Sequence, residues 1–222
     1  MNAIVTGASR GIGRFLADSL EAEGWGVARW SRSNGVNVAC SQDVREAMNG
    51  IRDPVALVHC AGTLGPAVVA FEHNCYGTFT VVREVAQRMS GGSIILFSGG
   101  GACYGTPGFA AYGASKAAVV RLAETYAMEL APRGVRVNAV APGWQATDMG
   151  RQFKAMGGEV RTEGTLPEVW ELVRWLLSEE SAHVTGRLIH IRDDYKKWPN
   201  PLPEDWAKLR RVEPFGSERK AQ

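Results

Sequence analysis

The residues best suited to chemistry lie in one stretch, from Phe97 to Lys116, which reads FSGGGACYGTPGFAAYGASK. Tyr112 and Lys116 are four residues apart, so on a helix they project from the same face, one turn apart. A lysine ammonium beside a phenol favours the phenolate and lowers the pKa of the tyrosine, which lets the pair exchange a proton with a substrate. Such a pair usually works with a nearby serine hydroxyl, and Ser98 is the candidate.

A glycine-rich loop, TGASRGIG at 6–13, follows an apolar strand-like run and precedes a helical pattern. Gly7 permits the tight turn, Gly11 lets the backbone approach a pyrophosphate, and Gly13 lets the helix pack on the strand. The helix N-terminus then offers free N–H groups and partial positive charge to phosphates. By itself the motif could be an ordinary glycine-rich turn, but its position favours a dinucleotide site. The residues expected at that site are Gly7, Ser9, Arg10, Gly11, Ile12 and Gly13.

The end of the second predicted strand distinguishes between dinucleotides. A site specific for NAD places a carboxylate there to bind the ribose 2′-hydroxyl, whereas this chain has Trp30, Ser31, Arg32 and Ser33. Arg32 and Arg10 can clamp a 2′-phosphate, since a guanidinium presents a planar fork to phosphate oxygens. Two solvated surface arginines are the alternative. The pattern favours NADP(H) over NAD(H).

Short apolar runs alternate with helical patterns along most of the chain. Strands are predicted at 3–6, 26–30, 55–59, 93–97, 136–142 and 187–191, and helices at 14–24, about 74–89, 113–131 and 166–178. Thr165 and Glu168 have capping-box spacing at the start of the last helix. Repeated strand–helix units predict an α/β fold, a parallel sheet with helices on both faces. We expect one domain over 1–192 and an extended surface tail over 193–222, its last residues disordered.

Composition excludes several classes of protein. The net charge of +2 and the lack of a basic stripe argue against a nucleic-acid surface. No apolar run approaches the roughly 18 residues of a membrane span, and a strand beginning at Ala3 leaves no room for a signal peptide. Four scattered cysteines without a C-x-x-C pair predict reduced thiols in the cytoplasm and no metal site: Cys40, Cys60, Cys75 and Cys103.

Taken together, these motifs resemble the short-chain dehydrogenase/reductase superfamily over residues 2–191. The resemblance implies a Rossmann-type doubly wound parallel sheet in three α/β/α layers and an NAD(P) cofactor. It implies hydride transfer between the nicotinamide and a substrate carbon, with Tyr112 as general acid/base, Lys116 also holding the nicotinamide ribose, and Asn74 anchoring a water that relays protons. It further implies cofactor contacts from Asp43 and Val44 (adenine), from Cys60, Ala61 and Gly62, and from Pro142, Gly143 and Thr147.

The chain departs from the family pattern at the serine. The family's serine lies 13 residues before the tyrosine, which is Gly99 here, whereas Ser98 lies 14 before it. Neighbouring side chains of a strand point to opposite faces, but a run of glycines permits a bulge that re-aims Ser98. Either Ser98 is catalytic, or a backbone N–H of the glycine run holds the substrate oxygen.

Two other segments differ from the family pattern. Only 11 residues separate Gly62 from Asn74, so we expect the helix before Asn74 to be short or absent. The segment 148–165, rich in glycine and methionine, is expected to be a mobile substrate flap.

The predicted function is an NADP(H)-dependent oxidoreductase that interconverts the carbonyl and alcohol forms of a small molecule. The alternatives are a cofactor-binding sensor or partner subunit with little catalysis, and a specialised sugar-nucleotide or secondary-metabolite enzyme. The resemblance also implies a homodimer or homotetramer paired through the helices after Asn74 and Tyr112. The apolar residues expected on that surface, unless they face only their own sheet, are Phe79, Val82, Met89, Val119, Leu122 and Tyr126.

Overall fold

The computed structural model describes residues 1–209 and contains one six-stranded parallel sheet. The strands are β1 (Asn2–Thr6), β2 (Gly26–Trp30), β3 (Ala56–His59), β4 (Gly92–Phe97), β5 (Val135–Ala141) and β6 (Leu188–His190). Their order is β2-β1-β3-β4-β5-β6, and every neighbouring pair is parallel. All six predicted strands form, because short apolar runs with few polar residues suit strands that are covered on both faces.

Helices cover both faces of the sheet. They are α1 (Gly11–Ala22), α2 (Ser41–Ala47), α3 (Ala67–Ala70), α4 (Gly77–Ala86), α5 (Ala110–Leu130), α6 (Asp148–Ala155) and α7 (Leu166–Leu177). One core lies between the sheet and α2, α4 and α5, and the other lies between the sheet and α1 and α7. This arrangement confirms the predicted three-layer, Rossmann-type α/β fold.

The start of α7 confirms the predicted capping box. The Thr165 side chain accepts a hydrogen bond from the Glu168 backbone N–H, and the Glu168 carboxylate accepts one from the Thr165 backbone N–H. Two backbone donors that the helix itself cannot satisfy are thereby satisfied. The cap fixes the point where the chain re-enters regular structure after the segment that follows β5.

The segment before Asn74 and the segment 148–165 both contain helical structure. The helix before Asn74 is the four-residue α3, as short as expected, and it runs through a π-helical segment, Phe71–Tyr76, into α4. The segment 148–165, expected to be a mobile substrate flap, begins with helix α6, and its far end pairs with Trp144. The Trp144 N–H donates to the Thr162 carbonyl over 2.7 Å, and the Gly164 N–H donates to the Trp144 carbonyl over 2.9 Å.

The C-terminal segment packs against the sheet edge as far as Leu209. Arg187, which is buried, donates to the Glu204 carbonyl over 2.7 Å and to the Pro203 carbonyl over 3.3 Å. The Leu188 N–H, on the outer edge of β6, donates to the Ala207 carbonyl over 2.7 Å. The expected tail is therefore docked over its first part, and the disorder predicted for its last residues lies outside the described residues.

Most of the apolar residues expected on a dimer surface lie in the protein's own core. Val82 and Met89 on the α4 side and Val119 on α5 are buried against the sheet, and Tyr126 is buried as well. The prediction was wrong for these residues because a helix that covers a sheet needs apolar side chains for its inner face first. Phe79, at 37% exposure, does reach the surface.

Among the described residues, no helix is long and apolar enough to cross a membrane. Within residues 1–209, no three His, Cys, Asp or Glu side chains form a group that could hold a metal ion. All four cysteines are free thiols.

Candidate active site

The expected site residues come together at the carboxyl ends of the strands. The glycine loop follows β1, residues 60–62 follow β3, the glycine run 99–101 follows β4, and residues 142–147 follow β5. In open parallel sheets, ligands bind at this edge, in the crevice where the strand order reverses direction. Here the reversal lies beside β1, whose neighbours are β2 on one side and β3 on the other.

The glycine loop has the close packing that a dinucleotide cradle needs. Gly7 has φ +66°, and a Cβ there would lie 2.9 Å from the Ala61 nitrogen. A Cβ on Gly13 would lie 2.4 Å from the Gly7 carbonyl oxygen, so only glycine lets α1 start this close to β1. Gly11, with φ +56°, is the first residue of α1, and the loop backbone and helix start fit a bound pyrophosphate.

The two arginines expected near the adenosine ribose lie after the carboxyl ends of β1 and β2. Arg10 is the N-cap of α1 and Arg32 starts a single 3₁₀ turn directly after β2, and both are exposed. Within residues 1–209 neither forms an ion pair, whereas Arg29 is held by Asp18 and Glu21. The fork of either free guanidinium is thus available to an anion.

Asp43 and Val44 lie in the first turn of α2. The Asp43 carboxylate accepts a hydrogen bond from the Asn37 N–H over 3.0 Å, and this bond lowers the pKa of Asp43. Val44 is fully buried in the core. The short helix is therefore fixed to the core by Val44, and its Asp43 holds the loop that precedes it.

Tyr112 and Lys116 both lie in α5, as their spacing predicts. Lys116 is 6% exposed, its Nζ donates to the Phe97 carbonyl over 2.9 Å, and Nζ lies 5.7 Å from the centre of the Tyr112 ring. Burial lowers the pKa of Lys116 to about 8 and raises the pKa of Tyr112 to about 12. The pKa of Tyr112 is thus raised where the sequence predicts that it is lowered, because removing the phenolate from water outweighs the nearby ammonium.

Asn74 is held rigidly beside this pair. Its Oδ1 accepts from the Thr63 N–H over 2.8 Å, and its Nδ2 donates to the Thr63 carbonyl over 2.9 Å and to Ser115 Oγ over 3.0 Å. A Cβ on Gly62 would lie 3.1 Å from Asn74 Oδ1 and 3.3 Å from Lys116 Nζ. The side chains of Asn74 and Lys116 therefore meet beside the Gly62 backbone. Asn74 lies in the π-helical segment, which places its side chain there.

Ser98 and Gly99 face different neighbours. Ser98 is 5% exposed and its Oγ donates to the Lys116 carbonyl over 2.9 Å, so its hydroxyl is bonded to the α5 backbone. Gly99 has extended backbone (φ 170°, ψ 172°), and a Cβ there would have a single neighbour within 4 Å, the Tyr112 hydroxyl at 3.9 Å. Of the two alternatives that the sequence leaves open, the bulge that would re-aim Ser98 does not form at this residue, since the Ser98 N–H keeps its strand bond to the Val140 carbonyl over 2.8 Å.

A cavity of about 250 Å³ opens between these residues and the segments that follow β4 and β5. Its lining is mostly apolar and includes the expected Ile12, Cys60, Gly62, Ser98, Tyr112, Lys116, Pro142, Gly143 and Thr147. The Thr147 hydroxyl also accepts from the Gly150 N–H over 3.2 Å and so caps α6. A cavity whose surface is mostly apolar and that contains a buried tyrosine–lysine pair is suited to proton transfer shielded from water.

Comparisons with known proteins agree with this geometry. The family model described as Enoyl-(Acyl carrier protein) reductase matches residues 39–193. The chain is 31% identical to a 3-oxoacyl-(acyl-carrier-protein) reductase FabG of Staphylococcus epidermidis, over 86% of this chain and 96% of that protein. The chain belongs to the short-chain dehydrogenase/reductase superfamily.

Similar proteins from other sources support the same membership. An uncharacterized oxidoreductase of Escherichia coli, YgfF, is 30% identical over 85% of this chain and 97% of its own length. The structure of an aldohexose dehydrogenase from Thermoplasma acidophilum matches with TM-score 0.77 and 25% identity, covering 85% of this chain and 91% of that one. This short-chain dehydrogenase/reductase is accordingly an oxidoreductase that acts on a carbonyl/alcohol pair.

Several residues of this dehydrogenase/reductase site escape sequence reasoning. His59 is buried at the end of β3, and its Nδ1 lies 2.9 Å from Thr6 Oγ1, which also accepts from the Ala61 N–H over 3.1 Å. Burial lowers the pKa of His59 to about 3, so the ring is neutral and ties β3 to the start of the glycine loop. Its position directly before residues 60–62 is the one sequence signal that could have predicted a role for His59 in the site.

The aromatic walls of the cavity were also missed. Phe109 and Phe153 lie with ring centres 4.5 Å apart, and Tyr104 and Arg161 lie together where the cavity opens. These residues come from two parts of the chain about 50 residues apart, one leading into α5 and one running from α6 to the loop before α7. They have no periodic pattern that would predict their meeting.

Proposed function

We propose that this protein is an NADP(H)-dependent reductase or dehydrogenase of small carbonyl/alcohol compounds. The observation that carries the proposal is the meeting of Tyr112, Lys116, Asn74 and Gly62 at one end of a mostly apolar cavity. The bound nicotinamide supplies or accepts the hydride. The glycine loop, with its steric need for Gly7 and Gly13, is the part of this chain that would hold the dinucleotide.

In this proposal Tyr112 gives a proton to the substrate oxygen in reduction and takes it in oxidation. A phenol whose pKa is raised by burial stays protonated but is a weaker acid, so a nearby positive charge is needed to stabilise the phenolate in both directions of the reaction. Lys116 is that charge, and its own lowered pKa allows it to pass a proton to the tyrosine. Asn74, fixed by Thr63 and Ser115, is the partner that orients a water on the way to Lys116.

The oxygen site of this chain is proposed to lie between Tyr112 and Gly99. Support comes from the extended backbone at Gly99 and from the open space between its Cα and the Tyr112 hydroxyl. Ser98 is then a structural residue that holds β4 to α5 through the Lys116 carbonyl. This replaces the sequence-based alternative in which Ser98 itself assists the tyrosine.

The preference for NADP(H) rests on Arg10 and Arg32. Both are exposed beside the end of β2, neither is paired with a carboxylate in the described part of the chain, and the strand end carries no acid to bind a 2′-hydroxyl. A solved small-chain dehydrogenase in complex with NADPH is 25% identical to this chain, with TM-score 0.73 over 86% of it. Replacing Arg32 by Ala should weaken NADPH binding about tenfold or more and leave NADH binding unchanged.

Replacing Tyr112 by Phe tests the catalytic proposal. The variant loses only the hydroxyl, so NADPH binding, read by fluorescence, should persist while turnover falls at least a hundredfold. Turnover that survives in the variant would remove Tyr112 from the mechanism. NADPH binding without turnover of any carbonyl by the wild-type protein would favour the alternative, a cofactor-binding sensor or partner subunit.

The substrate is proposed to be a small ketone or alcohol rather than a polymer or a nucleic acid. The FabG relatives are named for 3-oxoacyl groups on a carrier protein, so a 3-oxoacyl thioester is the second candidate. Reduction of a 3-oxoacyl thioester with NADPH, measured beside simple ketones, separates the two.

We also propose a homodimer or homotetramer. The exposed apolar residues near α4 and α5 are Phe71, Tyr76, Phe79 and Met128. They replace the buried residues of the earlier expectation, and Phe79 and Tyr76 stack with ring centres 6.4 Å apart. A monomer in light scattering at micromolar concentration would refute this assembly.

We also propose one domain over residues 1–192 and a tail over residues 193–222. A cytoplasmic location with reduced thiols is a further proposal.

A further inference from the structure

The open side of the cavity carries an arginine placed on an aromatic ring. The Arg161 guanidinium lies 4.8 Å from the centre of the Tyr104 ring. Tyr104 follows the glycine run after β4, whereas Arg161 lies between α6 and α7, so the contact joins two sides of the cavity. Tyr104 is 57% exposed and the Arg161 side chain 48%, compared with 6% for Lys116. The pair therefore stands where a substrate enters.

The position of Arg161 is fixed by the backbone that follows it. Thr162 accepts a hydrogen bond from the Trp144 N–H, and Gly164 donates one to the Trp144 carbonyl, so the chain is anchored one residue after Arg161. The Tyr104 ring holds the other end of the side chain by a cation–π contact. An arginine restrained at both ends loses little conformational freedom when it binds a ligand.

Arg161 is only loosely paired with a carboxylate. Within residues 1–209 its one acidic partner is Glu159, at 3.8 Å and with a side chain that is 73% exposed. An exposed pair at this distance contributes little and is easily displaced by a better ligand. Among residues 1–209, the titratable side chains of opposite sign that line the cavity are one carboxylate, Glu159, and two cations, Lys116 and Arg161. His190 also lines it, and burial lowers the pKa of its ring, which favours the neutral form. That balance favours an anionic ligand.

The space between the tyrosine–lysine pair and Arg161 has apolar walls. Phe109, Trp144 and Phe153 line it, and the rings of Phe109 and Phe153 lie 4.5 Å apart. A volume of about 250 Å³, shared with the residues that would face the nicotinamide, suits a compact body rather than a long chain. Flat aromatic walls favour a planar body, because rings stack in offset or tilted pairs.

We propose that the substrate is a ketone or alcohol whose compact, planar apolar body ends in a carboxylate or similar anion, and that Arg161 binds this anion. This inference rests on the proposed function, since it places the reacting carbonyl at Tyr112. Arg161 acts on substrate binding and lies away from the reacting atoms. Its loss should therefore raise KM and leave kcat nearly unchanged.

The test compares 4-acetylbenzoate with its methyl ester, which has the same body without the charge. NADPH-dependent turnover of both is measured for the full chain, for Arg161→Met and for a control, Arg174→Met, whose arginine lies on α7 and pairs with Glu23. We expect the wild type and the control to prefer the acid at least about tenfold in kcat/KM, through KM. We expect Arg161→Met to lose that preference with its activity on the ester unchanged.

Equal use of acid and ester by the wild type, or a preference that survives in Arg161→Met, would overturn the inference. If neither compound is turned over, calorimetry on the NADP-saturated protein decides instead. Binding of the acid that is lost in Arg161→Met and kept in Arg174→Met supports the anion site even where the proposed reaction fails. No binding of the acid, or binding that Arg161→Met leaves unchanged, refutes the anion site.

Discussion

Placing a serine at position 99 should add a hydrogen-bond donor that this active site lacks. Gly99 has extended backbone that any residue can adopt, and its Cβ would contact only the Tyr112 hydroxyl, at 3.9 Å. The Oγ of Gly99→Ser lies one bond further, so a rotamer that directs it toward Tyr112 would bring it within hydrogen-bond distance of an oxygen held there. The variant should fold normally, since removing a glycine here also reduces the freedom of the unfolded chain.

The size of the effect follows from what such a donor does for charge that develops on oxygen. A fully preorganised donor is worth about 10²–10³ in kcat. An introduced hydroxyl without supporting neighbours should achieve less, so we expect kcat/KM on small ketones to rise about tenfold, or about 1.4 kcal/mol of transition-state stabilisation. The assay is NADPH oxidation with a series of small ketones, together with the dissociation constant for NADPH.

Gly99→Ala is the matched control, because it fills the same space without a hydroxyl. It should show no gain, and a loss on bulky ketones would measure the room that glycine leaves. If Gly99→Ser has kcat/KM equal to or below that of Gly99→Ala while NADPH still binds normally, the substrate oxygen does not lie between residue 99 and Tyr112. The proposed geometry of the oxygen site would then be wrong.

Three other substitutions test separate parts of the structure. Ser98→Ala removes a buried hydrogen bond to the Lys116 carbonyl and should cost about 1 kcal/mol of unfolding free energy in urea denaturation, with kcat/KM changed less than about threefold; a hundredfold loss of activity would make Ser98 catalytic. Lys116 has a pKa lowered from 10.5 to about 8, so its charged form costs about 3 kcal/mol of stability below pH 8, a cost that fades as the pH rises toward 10.5. Lys116→Met should therefore abolish turnover yet raise the Tm at pH 7 more than at pH 10, and an equal shift at both pH values would contradict the buried charge. Arg187→Met loses the bonds to the Pro203 and Glu204 carbonyls and should make the chain after β6 sensitive to protease at unchanged NADPH affinity, whereas unchanged proteolysis would mean that this segment is held by other contacts.

The sheet could be predicted from the sequence because each strand is marked by residues that are close together in the chain. Each strand is a short apolar run, and the glycines of 6–13 have steric roles that the structure repeats in detail at Gly7 and Gly13. The start of α7 was equally readable, since a capping box involves two residues three positions apart. Tyr112 and Lys116 share a helical face for the same reason.

The parts that sequence could not predict depend on distant neighbours. Whether Ser98 or Gly99 faces Tyr112 is set by the pleat of β4, which the bond from Ser98 to Val140 on the next strand maintains. The direction of the Tyr112 pKa depends on burial by residues from several segments. Which side of a helix faces the sheet also needs the tertiary packing, and this is why Val82 could be mistaken for a surface residue.

The contact between the C-terminal segment and β6 limits how copies of this protein can assemble. The outer edge of a sheet is where a strand from a second copy could add, and repeated addition of that kind gives open-ended fibres. Here the Leu188 N–H of that edge is already bonded to the Ala207 carbonyl of the same chain. The segment thus works as a terminator on one side only: it covers the β6 edge at Leu188, and β2 is the edge strand on the other side of the sheet.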